Sequence, residues 1–357
     1  MPDQNILLSW AVPVFILLIA LEARTSWKRQ LGYYQLADSL TSLACGVMMV
    51  TVEVFTASAL LLLFAWISHH YGLFLFPTDS VWTWLLFFLV LDFLYYWAHR
   101  WSHKINFLWA VHVPHHQSEE YNLTTALRLG AFEDTFHRPI FLPMALLGCP
   151  AEVFIVLLNV HKFYQFWIHT RLIDKVPLIE GILNTPSAHR VHHAVNDAYV
   201  DRNHGGTLMI WDKLFGTWIE EGEPCVYGVR KPYHRWDGVR AQFDWFGWMW
   251  NAAKQAGSVV DRLRIPFMPT GWRPADVEAR EPAPLFSLGR ARLQHFTATS
   301  TGRWKWLAVS CFVLALIFGK VLMGFSGTLS TTIKVVLAVY VVLLLLAMAW
   351  ALDPRRG

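Results

Sequence analysis

Charged residues are scarce in this chain, at 16% of 357 residues, against about 25% in an ordinary soluble domain. Hydrophobic residues take 55%. That balance excludes a disordered chain and a collagen-like fibre. Cysteine is scarcer still: Cys45, Cys149, Cys225 and Cys311 are isolated and no CxxC occurs, which excludes a disulfide framework. The net charge of +4 is too small and too dispersed to argue for a nucleic-acid partner. The zinc-peptidase motif HExxH is missing, because Arg100 follows His99. No haem, flavin or Rossmann motif is evident. What is abundant is aromatic and imidazole side chains. The 19 Trp and 24 Phe suit a membrane protein, and most of the 16 His fall between residues 99 and 204.

Apolar runs organise the chain. Ile6–Leu21 lacks the basic start and the cleavage site of a signal peptide. It is expected as a first membrane span, followed by Arg24, Lys28 and Arg29 and an aromatic belt of Trp27, Tyr33 and Tyr34. Leu40–Ile67 is a second, longer than the roughly 20 residues a span needs, so it is expected to tilt or fray. Val81–Ala98 is a third. Ser68–Ser80 carries no Lys or Arg, whereas Arg100, Lys104, Arg128 and Arg138 follow the third span; the positive-inside rule then makes residues 99–138 cytoplasmic. Pro139–Ile168 would measure about 45 Å as one helix and is interrupted at Gly148-Cys149-Pro150. It predicts a helical hairpin that enters and returns on one side, bringing His169 beside the earlier histidines. Residues 170–303 are polar enough for a cytoplasmic cap. Trp245–Trp250 opens an amphipathic interfacial helix there, and Ile265–Pro284, with five prolines, reads as a linker. Trp304–Leu322 and Ile333–Leu352 form a last pair of spans. The expected fold is all-α, a polytopic helical bundle with the N-terminus outside and the C-terminus inside. Its expected parts are N-terminal helices (1–80), a catalytic domain (81–222), a cap and linker (223–303) and a C-terminal helix pair (304–357).

Three histidine clusters stand out: His99-Arg-Trp-Ser-His103, His112-Val-Pro-His115-His116 and His189-Arg-Val-His192-His193. Spacings of three and four place two imidazoles on one side of a helix. A lone HxxxH is most often a pair of surface histidines, but eight histidines in three patterned clusters on one membrane face are a metal-binding pattern. Eight exceed the four donors of a structural zinc site or the three of a catalytic one. They suffice for two metals with open positions. Soluble di-iron oxygenases use Glu and ExxH on a four-helix bundle, a donor set absent here.

In this order and spacing, over about residues 85–220 and ending in Trp211-Asp212-Lys213-Leu214-Phe215-Gly216-Thr217, the chain resembles the fatty acid hydroxylase/sterol desaturase superfamily of membrane di-iron enzymes. Three stretches look most like its alkylglycerol monooxygenase-like members, bacterial ones included: Ser118-Glu119-Glu120-Tyr121-Asn122-Leu123-Thr124-Thr125-Ala126-Leu127-Arg128, Tyr164-Gln165-Phe166-Trp167-Ile168-His169-Thr170 and Asn184-Thr185-Pro186. The resemblance implies two irons, O₂, a lipid substrate and a separate electron donor, either tetrahydrobiopterin or a cytochrome b5 or ferredoxin chain. It also adds a ninth metal ligand. The candidate set is His99, His103, His112, His115, His116, His169, His189, His192 and His193. One departure stands at Asn203-His204-Gly205, where the family usually has Tyr in the middle position; His204 is either an extra hydrogen-bond donor to a metal-bound group or only a replacement ring.

Asp92, Tyr96, His99 and His103 share one stripe of the third span. An acid in an apolar span is a functional candidate by default, and Asp92 is expected to orient a metal-bound histidine from another helix; the alternative is a buried Asp paired with a hydroxyl. Glu53 is a weaker candidate of the same kind. Glu119 and Glu120 follow the second cluster and are expected at the metals, a reductant or the lipid headgroup, against the plain reading of acids leading into a helix. Asp92, Glu119 and Glu120 are thus the candidate catalytic carboxylates. His161 is expected as a pocket residue, His69 and His70 lie on the outer side, and His137, His234 and His295 carry no partner pattern. The expected activity is O₂-dependent hydroxylation of a lipid C–H bond, at the ether-linked carbon of an alkylglycerol or, alternatively, of a fatty acyl, sterol or carotenoid chain by a hydroxylase or desaturase. A zinc hydrolase lacks its base motif, and a metal transporter would place its ligands near the bilayer midplane. The expected setting is a bacterial inner membrane or an endoplasmic reticulum membrane.

Overall fold

The computed structural model describes residues 4–280, 287–289, 295–297 and 300–353, with side chains from residue 13 onward. Among the described residues the secondary structure is helical, and β pairing is confined to isolated bridges. Long helices α1 (Gln4–Lys28), α2 (Leu36–Tyr71) and α3 (Val81–Lys104) lead into α4 (Asn106–His116), α5 (Glu133–His137), α6 (Leu142–Leu147) and α7 (Ala151–Trp167). Short helices α8 (Pro186–His192), α9 (Ile210–Leu214), α10 (Gly238–Ala241), α11 (Asp244–Gln255), α12 (Val259–Arg264) and α13 (Ala275–Arg280) build a polar cap. The hairpin of α14 (Arg303–Gly324) and α15 (Thr331–Ala351) closes the bundle.

Among the described residues α2, α3, α14 and α15 are long and apolar enough to cross a membrane. They expose Leu62, Trp82, Val336 and Leu343, as helices do when their outer solvent is lipid rather than water. The expected first span falls within α1, whose residues up to 12 carry no described side chains. From Phe15 onward α1 packs against the end of α7, with Phe15 stacked on Phe166 at 3.9 Å.

α2 is the spine. Its second half joins α3, α6 and α7 in one core, with Phe64 stacked on Phe154 at 4.1 Å and Phe87, Leu91, Met144 and Val153 fully buried around them. Its first half packs against α14 and α15 through Ala44, Met48, Ala315 and Leu345. At 36 residues α2 is about 54 Å long, well beyond a hydrocarbon core of about 30 Å. Part of the surplus lies outside any span. The first turns of α2 enter the cap, where Asp38 accepts from Ser118 (2.7 Å), Ser42 meets Arg128 (3.4 Å) and Cys45 approaches the Gly238 carbonyl (3.7 Å). Glu53, further along, joins an ion cluster with Arg138, Asp134 and Lys162 and stays away from the histidines.

The break at Gly148-Cys149-Pro150 is a turn between α6 and α7. Gly148 has φ +100°, and a Cβ there would lie 1.9 Å from the Phe74 carbonyl, so only glycine fits. α7 then runs back to His169, giving the expected hairpin. Ile265–Pro284 differs from the expected linker as far as Arg280, the last described residue of that segment. Ile265 is buried against Ala110, Met249 and Ala252. The Asn106 amide donates to the Ile265 carbonyl (3.0 Å), while its oxygen accepts from Gly271 N (2.9 Å) and Trp245 Nε1 (3.2 Å). This segment therefore clamps the corner between α3 and α4, and with it the angle between the first two histidine clusters. α11 shows the expected amphipathic character, with Met249 and Ala252 buried and Trp250 exposed.

Candidate metal centre

α3 continues six residues past the expected end of its span, so His99 and His103 sit one turn apart on its last two turns. Ile105 breaks the helix in extended conformation and pairs with Pro269; α4 then turns back with His112, His115 and His116. Gly130 allows α4 to approach the following loop, since a Cβ there would lie 1.8 Å from the Val111 carbonyl. α8 starts at the N-cap Thr185, whose hydroxyl accepts from Ala188 N (3.3 Å), with Pro186 in the first turn. Arg190, on the same helix as His189 and His192, is held by Glu221 (2.7 Å) and the Ile173 carbonyl (2.7 Å).

All nine expected histidines converge, in two groups. His99, His103, His112, His116 and His192 place donor nitrogens within 4.8 Å of one another, as do His115, His169, His189 and His193. Each HxxHH divides between them: its i,i+4 pair enters one group and its middle histidine the other. His116 stacks on His193 at 4.3 Å, so the groups abut.

The hydrogen bonds fix the imidazole tautomers. Nδ1 of His99, His115, His169 and His192 lies 2.8–3.0 Å from the carbonyls of His204, Arg128, Gln165 and Arg202. A carbonyl only accepts, so each Nδ1 is the donor, and in the neutral ring Nε2 keeps its lone pair. Yet Nε2 of His115 and Nε2 of His169 face each other at 3.3 Å. His112 donates Nδ1–H to Glu133 (2.9 Å), and its Nε2 lies 3.0 Å from His116 Nε2. Nε2 of His99, His103 and His192 is buried without a partner. Burial pushes His115 down to about 4, and His116, His169, His189, His192 and His193 well below the usual imidazole range, so these rings are neutral at neutral pH. Two neutral lone pairs face to face repel unless a cation lies between them. The residues present therefore fit two metal ions, with the carbonyls and Glu133 orienting the ligands in the usual manner of metal-bound histidines.

The expected carboxylates lie elsewhere. Asp92 touches none of the nine. It accepts from Thr207 N (2.9 Å), Leu208 N (3.2 Å) and Trp211 Nε1 (2.9 Å) and bonds His161 Nε2 (2.8 Å); four partners on a fully buried acid tie α3 to the cap. His161 is the expected pocket residue, bonded also to Gln165 (2.9 Å). Glu120 pairs with Arg171 (2.6 Å), and Glu119 accepts from Phe296 N (2.6 Å) and lies 3.5 Å from His234 and 3.8 Å from His295. Both border a cleft with Asp38, Gln117 and Arg128, away from the imidazole groups. The carboxylate that bonds one of the nine histidines is Glu133, through His112, and no motif marks it. His137, given no role above, bonds Ser102 (2.7 Å) and lies 3.8 Å from Glu133. His69 and His70 are exposed at the far end of α2. Glu22 was also missed as a site neighbour: buried, it accepts from Tyr34 (2.5 Å), Leu123 N (2.8 Å) and Thr170, closing α1 over the loop that follows the second cluster. Tyr121 covers His169 and His193, with ring centroids at 5.7 and 5.2 Å, and stacks on Tyr227.

The sequence profile described as "Fatty acid hydroxylase" matches residues 84–217, the span holding all nine histidines. Human alkylglycerol monooxygenase is 35% identical over 348 residues, covering 97% of this chain and 77% of its own length. The chain belongs to the fatty acid hydroxylase family. Alkylglycerol monooxygenase of Xenopus tropicalis is 39% identical over 264 residues, 74% of this chain and 59% of its own. Ornithine lipid hydroxylase OlsE of Rhizobium tropici is 30% identical over 137 residues, 38% of this chain and 41% of its own. No solved structure matches. With its apolar helices, this family member is an integral membrane protein.

Proposed function

We propose that this membrane lipid hydroxylase is a di-iron monooxygenase that transfers one oxygen atom of O₂ into a C–H bond of a lipid, with an alkylglycerol ether as the preferred substrate class. The observation that carries the metal reading is the confrontation of two fixed lone pairs, His115 Nε2 and His169 Nε2, at 3.3 Å. The family and the almost purely imidazole donor set support iron as the metal. Two irons held by the nine histidines would supply the reduction of O₂ and the oxidation of the C–H bond.

The chain's own side chains hold and shield that chemistry. The His204, Arg128, Gln165 and Arg202 carbonyls and Glu133 keep five imidazoles aimed inward. Tyr121 and Tyr227 cover one side and exclude water. Apolar α2 and α3 bring an acyl or alkyl chain from the bilayer toward the end of α3, where His99 and His103 stand. The cleft bordered by Asp38, Glu119, Glu120 and Arg128 offers charged and polar groups to a headgroup or a reductant. Overall, R–H, O₂, two electrons and two protons give R–OH and water. Oxidation at an ether carbon gives a hemiacetal that falls to an aldehyde and a glycerol. The two electrons come from a separate donor, a reduced pterin or a cytochrome b5 or ferredoxin chain. Lys28, Arg29, Lys104 and Arg303 flank helix ends on the side of the site, which supports a cytoplasmic placement of that end under the positive-inside rule. We read residues 81–222 as the catalytic unit, packed between the N-terminal helices and the C-terminal pair, with 223–303 as the cap.

The test is turnover of purified protein in bilayer nanodiscs under ¹⁸O₂ with each reductant, against alkylglycerol, fatty acyl and sterol panels. An aldehyde formed only from the ether lipid, with one ¹⁸O incorporated, is expected. Hydroxylation of acyl or sterol chains alone would overturn the ether assignment, and the same product formed without O₂ consumption would overturn the oxygenase.

A further inference from the structure

His204 stands where the chain turns beneath the end of α3. Its neighbour Asn203 has φ 56° and is pinned by the carbonyls of Ala188 (3.0 Å) and Ile219 (2.8 Å). Asp212 accepts from His204 N and Gly205 N, both at 2.7 Å, and from the Thr217 hydroxyl (2.6 Å). The His204 carbonyl takes the Nδ1–H of His99 at 2.8 Å. All of this is backbone work that any residue at 204 would perform, so the imidazole itself needs a separate explanation.

The ring is fully buried, and neither Nδ1 nor Nε2 makes a hydrogen bond of normal geometry, although the Asp201 backbone lies close enough to interact with it. Leaving both nitrogens of a buried imidazole unpaired is costly, and such a group calls for a ligand. The ring lies 5.1 Å from that of His103, 5.5 Å from His192 and 5.7 Å from His99. Ring spacings inside the five-histidine group run from 4.3 Å for His99–His192 to 5.3 Å for His99–His103, so His204 stands at group distance from His103 and slightly further from the other two. Those same three histidines carry buried, unpartnered Nε2 atoms. His204 thus adds a fourth ring beside three whose Nε2 atoms are unpaired, next to but outside the set whose donor nitrogens all lie within 4.8 Å of one another.

We propose that His204 is an additional imidazole donor at the five-histidine site, on the face formed by His99, His103 and His192. This rests on the reading of that site as a metal centre. It gives His204 a role that neither the three clusters nor His169 supplies.

The test uses the full chain loaded with ferrous iron, comparing wild type, His204→Phe and His204→Gln. The readouts are iron per chain, the rate of iron release to a colorimetric ferrous chelator, and imidazole scattering in iron X-ray absorption. The Phe variant should release one of two irons at least about tenfold faster than wild type, with less imidazole scattering and the other iron unchanged. The Gln variant, which keeps a donor, should fall between the two. Folded variants with wild-type release of both irons and unchanged scattering would overturn the proposal. If His204→Phe fails to fold, His204→Gln decides on the same readouts. Wild-type protein without stoichiometric metal would instead overturn the metal-centre reading beneath it.

Discussion

Glu133 offers the sharpest perturbation. Its carboxylate accepts the Nδ1–H of His112 at 2.9 Å, and its side chain is 15% exposed. Burial raises its pKa, but the facing His112 ring and its hydrogen bond outweigh this and hold the carboxyl at about 2, so it is ionised at neutral pH. In Glu133→Gln an amide oxygen still accepts from His112 and only the charge is lost. In Glu133→Ala the Nδ1–H is left unpaired in a buried site, and the ring loses the partner that fixes its tautomer. Removing such an orienting partner weakens metal binding by about 10–100-fold, or about 1.4–2.7 kcal/mol. The Gln variant is expected near the lower figure and the Ala variant near the upper, for one metal of the two. The assay is chelator competition followed by metal analysis per chain, with helicity and melting temperature recorded in parallel. Glu119→Gln and Glu120→Gln serve as controls and should bind metal as wild type does, because neither side chain contacts any of the nine clustered histidines. A folded Glu133→Ala that keeps wild-type affinity for both metals would refute the reasoning, as would a loss of metal in the two controls with none in the Glu133 variants.

Three further expectations follow from the same contacts. Burial lowers His115 from 6.5 to about 4, so between those values the unfolded chain binds a proton that the folded chain does not; metal-free protein should lose on the order of 3 kcal/mol from this group as pH falls from about 6.5 to 4, and a melting temperature that holds or rises over that range would contradict it. Asp92→Asn places an NH₂ against backbone and indole donors, so it should cost about 2–5 kcal/mol in stability while the folded fraction keeps its metal; selective metal loss without a lower melting temperature would instead restore Asp92 to the centre. Gly130→Ala puts a Cβ 1.8 Å from the Val111 carbonyl and should displace α4, lowering metal content at both groups, so normal metal content would show that the loop moves instead.

The convergence of the nine histidines was legible because a helix turns imidazoles at three- and four-residue spacing into a local constellation, and three such clusters exceed what one ordinary zinc needs. The hairpin was legible because only glycine tolerates the turn at 148, and the return of α7 placed His169. The partition into five and four was not, since it depends on how α3, α4 and α8 cross. Glu133 was invisible for a similar reason: it meets His112 across 21 residues through a loop and a one-turn helix, and a single Glu has no spacing to read. Asp92 was noticed for the cost of an acid in an apolar helix, but its partners come from the segment near 207–211, where no periodicity points at α3. Prolines in 265–284 signalled an irregular backbone correctly, yet irregular backbone can be packed, and here it clamps the corner at Asn106.

The most direct measurement is the metal content per chain of freshly purified protein in wild type, His103→Ala and His169→Ala, with the metal identified. His103 serves only the five-histidine group and His169 only the four-histidine group. Two irons in wild type are expected, with each variant losing chiefly the metal of its own group. A single zinc in wild type, or folded protein with no stoichiometric metal, would contradict the dimetal oxygenase.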